Sequence, residues 1–230
     1  MAKAVKPVKG IKKKELKEDK LVTFYFQAQE WLQKNLKLVL RVGGGAILLI
    51  ALIAFWFISK SGSEKKATYE LGKLTLGAVQ YSPETLIEQL KALTEKYSGT
   101  KASAEAYFYM GQMQHRMGKL QEALASFEKY TKKGDKGSYL YPAALAGKAA
   151  CLEDLSRYSE AASAYLEAAA YKKGFFAKPN LQLDAARCFQ LAGEPGRAQE
   201  LYKMIQKENS DSPIAREAEK EEKRFAQHEP

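Results

Sequence analysis

The sequence predicts an all-α protein: an α-solenoid of three to four helix pairs with a capping helix, preceded by one membrane-spanning helix. Three observations carry that expectation. Residues 42–58 (VGGGAILLIALIAFWFI) run for 17 positions without a charge. From residue 64 onward, helical patterns alternate with Gly- and Pro-marked joints, and no stretch shows strand-like alternation. Within that region the same small and aromatic residues recur with a period near 37.

The elements follow in chain order. Residues 1–14 hold six Lys and no acid, a composition expected to stay disordered. Residues 15–41 contain Leu21, Phe24, Tyr25, Ala28, Leu32 and Leu36 at three- and four-residue spacing, an amphipathic pattern. With Trp31 and its lysine flanks, this juxtamembrane segment suits a helix lying on anionic lipid. The alternative is a helix that simply continues into the span, with Gly43, Gly44 and Gly45 as a weak joint.

The apolar run at 42–58 covers roughly 25 Å at about 1.5 Å per residue, slightly short of the ~30 Å hydrocarbon core. Val39 and Leu40 extend it, and Arg41 and Lys60 can snorkel to the two interfaces. No small-x-small cleavage site follows, so an uncleaved signal anchor is expected. Residues 1–41 carry 11 basic and 4 acidic side chains, which accounts for +7 of the net charge of +10. A basic flank prefers the cytoplasm, and long C-terminal domains translocate largely regardless of charge. The expectation is a single-pass protein with a cytoplasmic N-terminus. Because the excess charge sits in the tail, a nucleic-acid-binding main domain is not expected.

The repeats begin with a looser helix pair, Glu64–Val79 and Pro83–Tyr97. The clear units come next. Tyr107, Gly111, Gly118, Ala123 and Phe127 mark the first. Ala149, Ser156, Ala161 and Tyr165 mark the second, and Ala186, Gly193, Ala198 and Tyr202 the third. The anchors Phe127, Tyr165 and Tyr202 stand 38 and 37 residues apart, and Pro142 and Pro179 are also 37 apart. Antiparallel helices cross closely where one side chain is Gly or Ala, and a facing aromatic fills the space beside the contact. Ser212-Pro213 then opens a charged helix with Ile214, Ala218 and Phe225 on its thin apolar face, as a capping helix requires. This pattern resembles the tetratricopeptide repeat, with longer linkers between units.

Chemistry-bearing constellations are sparse. Two histidines and two cysteines leave little for metal or nucleophilic chemistry, no HExxH or triad-like arrangement is present, and no cofactor or enzymatic activity is expected. Cys151 and Cys188 stand one repeat apart on successive first helices. Stacked helices lie roughly 8–10 Å apart, beyond the Cα separation of about 7 Å that a disulfide allows, so two buried free thiols are expected over a bridge.

The resemblance to tetratricopeptide proteins implies a concave face, lined by the first helix of each pair, that binds segments of other proteins. Its groove positions fall on Phe108, Gln112, His115 and Arg116 in the first clear repeat. They fall on Ala146, Ala150, Glu153 and Asp154 in the second, then Leu183, Arg187 and Gln190 in the third. That surface would be mixed in sign, with Phe108 as an exposed aromatic. The whole architecture is similar to the YfgM-like ancillary subunits of the bacterial Sec translocon. The likeness implies an inner-membrane adaptor facing the periplasm, with translocon or chaperone subunits and their clients as partners. The competing class is a structural scaffold of the cell envelope or division machinery, acting through fixed oligomeric contacts.

Overall fold

The computed structural model describes residues 20–171 and 177–226; the basic tail 1–14 and His228 lie outside them. The chain divides into two compact units, Met1–Ile58 and Ser59–Pro230. Among the described residues every regular element is helical.

In the first unit α1 spans Lys20–Lys34, and α2 starts at Leu36 and runs to Leu76. At Asn35, between them, the side-chain amide and the backbone N–H both donate to the Trp31 carbonyl, at 2.8 and 2.9 Å. Gly43, Gly44 and Gly45 do not interrupt α2, so the helix continues into the apolar run with no joint at the glycines. Among the described residues none buries its apolar window, and α2 is long and apolar enough to cross a membrane.

The second unit stacks helices in chain order, each packed on the next: α3 (Pro83–Lys96), α4 (Lys101–Arg116), α5 (Leu120–Lys133), α6 (Leu140–Asp154), α7 (Tyr158–Ala169), α8 (Lys178–Leu191), α9 (Pro195–Glu208) and α10 (Pro213–Ala226). Helix α4 also touches α6, and α8 touches α10, so first helices line one face. The end of α2 supplies Ala67, Leu71 and Leu74 to a core with Leu86, Leu90, Leu93, Ala102, Ala106 and Met110. Leu90 is fully buried in the slot that aromatic residues take in the later pairs. A second core runs from Phe108 through Phe127, Tyr165 and Tyr202 to Ala218.

The joints explain why the period is so regular. Ser82 and Thr100 accept from the backbone N–H groups of Thr85 and Ser103, capping α3 and α4. The Glu64 carboxylate accepts from the N–H groups of Lys101 (2.9 Å) and Ala102 (3.2 Å), tying α2 to the start of α4. Each clear pair then turns through one left-handed residue: Gly118 (φ 72°), Ser156 (φ 59°) and Gly193 (φ 75°). The bonds around it repeat as well, Lys119 N–H to Gln114, Arg157 N–H to Leu152, and Glu194 N–H to Phe189. At the far end Ala215 and Ala218 of α10 are buried while Arg216, Glu217, Glu219 and Lys220 face outward; the Phe225 side chain lies outside the described residues.

Cys151 and Cys188 are free and fully buried. Burial pushes the Cys151 thiol up to about 11. Burial, then the nearby Glu153 carboxylate, pushes the Cys188 thiol up to about 12. Thiolate is the reactive form. Both thiols are therefore expected to resist a maleimide at pH 8 until the domain is unfolded in denaturant, and the melting temperature is expected not to depend on reductant. Mass spectrometry showing a Cys151–Cys188 link after mild oxidation would overturn this register.

Candidate functional site

The face formed by α4, α6 and α8 carries the expected groove residues, and they divide into three groups. The first group lies together. Phe108, Gln112, His115 and Arg116 of α4 line a cleft of about 220 Å³ with Phe127 of α5 and with Ala143 and Gly147 of α6. Helix periodicity places the α4 four at i, i+4, i+7 and i+8, one face of the helix.

The floor of this cleft depends on two glycines. Phe127 is 2% exposed, and its ring lies between Gly111 and Gly147. A Cβ at Gly111 would come within 2.9 Å of the ring, and one at Gly147 within 2.5 Å. Both positions therefore require glycine for close approach, and the edge of the buried ring contributes to the cleft lining beside Gly147. At the next joint the residue 37 positions on is Asp184, which pairs with Arg187.

Phe108 departs from its expected place. It is 5% exposed and packs edge-on against Phe127, with ring centroids 6.0 Å apart, and tilted against Tyr130 at 5.8 Å. The expected exposed anchor is instead a core aromatic that shows only an edge to the cleft. Leu183 is likewise a core residue, 6% exposed. The cause is the cluster of aromatic neighbours on α4 and α5, which draws Phe108 inward.

The second group is polar and already bonded. Glu153 accepts from the Tyr165 hydroxyl at 2.8 Å, and Gln190 accepts from the Tyr202 hydroxyl at 2.9 Å. The donor stands twelve residues after the acceptor in both repeats, so each second helix is pinned to its first by its own anchor tyrosine. Burial and the Glu153 bond raise the Tyr165 hydroxyl well above the usual tyrosine range, and burial does the same for Tyr202. In the first clear repeat the anchor is Phe127, which has no hydroxyl. The corresponding helix-A residue, His115, reaches Asp154 of the next repeat at 2.9 Å. This His–Asp contact bridges α4 and α6 along the same face.

The third group is solvent-facing. Arg187 pairs with Asp184 on its own helix, and Arg116 and Gln112 stand at the rim of the first cleft. Ala146 and Ala150 of α6 are half-buried. Sequence reasoning missed Ala143, Gly147 and Phe127 as lining residues. The available signal was the glycine at 147, opposite an anchor ring and replaced by Asp one period later. Among the described residues no group of three or more His, Cys, Asp or Glu side chains is placed to hold a metal ion.

No family model matches the sequence, and no curated protein matches it. Solved structures do. A Podosopora anserina kinesin light chain with nearly identical TPR-like repeats aligns with a TM-score of 0.56 at 15% identity, over 71% of this chain and 87% of that one. The MamA protein aligns with a TM-score of 0.51 at 18% identity, over 76% of this chain and 90% of that one. These likenesses show the fold: an all-α, tetratricopeptide-type solenoid.

Proposed function

We propose that this chain is a membrane-anchored adaptor whose concave face binds segments of other proteins. The supporting observation is the first cleft, where an apolar floor and a polar rim lie on the face shared by successive first helices. A recess with a few placed polar groups is what a protein segment needs for orientation, and the residues lining it include no Ser, Thr, Cys or Lys nucleophile. The apolar run of α2, which none of the described residues buries, supports anchoring by one span. The Lys-rich tail supports an N-terminus in the cytoplasm and a repeat domain in the periplasm of a bacterial inner membrane. In that compartment translocon or chaperone subunits and exported chains are the partners at hand.

Photo-crosslinking in living cells tests this reading. A crosslinking residue at Gln112, at the cleft rim, is expected to give adducts with translocon or chaperone subunits or their clients. The same residue at outward-facing Glu122 is expected to give few. Equal yields at both positions would show that the concave face is not special. Adducts only to further copies of the chain would favour the scaffold.

A further inference from the structure

We propose that the cleft between α4 and α6 takes one branched or aromatic side chain whose neighbour in the partner's chain is an Asp or Glu. This deepens the reading above and rests on the concave face being the binding face.

Size sets the first half of the specificity. The cleft measures about 220 Å³. Pockets that hold drug-sized molecules run from roughly 300 to 1,000 Å³, so this one suits a single side chain. The Phe108 and Phe127 ring edges, with Ala143 and Gly147, give it an apolar floor. One period on, Asn180 and Asp184 take the places of Ala143 and Gly147, and Asp184 is paired to Arg187. A joint with polar residues at these two places follows one with Ala and Gly there, so the apolar side chain has a defined seat.

Charge sets the second half. The acids of this face already accept hydrogen bonds within the protein: Asp154 meets His115, and Glu153 accepts from the Tyr165 hydroxyl. The basic residues are not all satisfied. Arg157, Arg187, Arg197 and Arg224 each have a carboxylate partner. Arg116, at the cleft rim and exposed, has no such partner among the described residues. The rim therefore presents an unpaired guanidinium beside an apolar seat, and a carboxylate next to the seated side chain completes the pairing.

The test exposes full-length protein in lipid nanodiscs to an array of short immobilised peptides of random sequence. Enriched peptides are expected to place Leu, Ile, Phe or Tyr next to Asp or Glu. Arg116→Glu is expected to weaken binding to that set about tenfold or more and to shift enrichment toward Lys and Arg. Ala143→Leu, at an exposed position, is expected to fill the seat and remove the set while the circular dichroism spectrum stays unchanged. An acidic preference that survives Arg116→Glu, or enriched peptides without acids, overturns the inference. If Gln112 still crosslinks in cells, the groove reading stands without it. Absence of both peptide enrichment and Gln112 adducts overturns the two together.

Discussion

Replacing Phe127 with alanine is expected to lower the unfolding free energy of the repeat domain by about 3–5 kcal/mol. A domain of this kind has roughly 5–15 kcal/mol in total, so this single ring carries a large share. The reason is its position between pairs: it is 2% exposed, packs on Phe108, and meets both Gly111 of its own repeat and Gly147 of the next. The same geometry makes a sharper expectation about Gly147. Gly147→Ala alone pushes a methyl into the ring and is expected to cost about 1–3 kcal/mol. In the Phe127→Ala background that clash is gone, and alanine favours a helix over glycine by about 0.8–1.0 kcal/mol. The second substitution should then be neutral or stabilising. Urea denaturation of the Ser59–Pro230 unit, wild type and three variants, measures the coupling. Two losses that simply add would show that the ring and Gly147 do not meet.

This sandwich also explains how far the sequence could be read. The period was legible because close helix crossings leave few choices at Gly111, Ala149 and Ala186, or at the turn residues Gly118, Ser156 and Gly193. Those constraints repeat with each pair, so they leave a trace in one sequence. Other features were hidden. Phe108 sits in groove register, yet aromatic neighbours particular to α4 and α5 draw it into the core. Glu153 and Gln190 sit in groove register too, but each is held by the hydroxyl of a tyrosine twelve residues later. That spacing was present in the chain. It gained meaning only when the hydroxyls were seen to point back at the first helices. Substitution of Phe for Tyr at 127 has the opposite consequence: it leaves His115 unclaimed by its own repeat, and His115 bridges to Asp154. This cleft therefore lies where the repeat departs from its own pattern.

The apolar run of α2 should be as sensitive to charge as the repeat core is to volume. Ten of residues 42–58 are Val, Ile, Leu or Phe. Each contributes roughly −0.3 to −0.6 kcal/mol to insertion, about −3 to −6 in all. Leu49 and Ile53 lie near the middle, 58% and 48% exposed among the described residues. An arginine at the centre of a span costs roughly 2.5–3.5 kcal/mol, so Leu49→Arg with Ile53→Arg adds about 5–7 and turns the sum unfavourable. Neither position is close enough to an end for its guanidinium to reach water easily. A reporter active only in the cytoplasm, fused after Pro230, reads the outcome. The unaltered chain should stay silent and remain in the membrane fraction through an alkaline wash. The double variant should switch the reporter on and move to the soluble fraction or aggregate, since an uncovered apolar helix is not tolerated in water. A bright reporter on the unaltered chain would reverse the orientation. Membrane retention and silence in the double variant would show that the run is not what holds the chain in the bilayer.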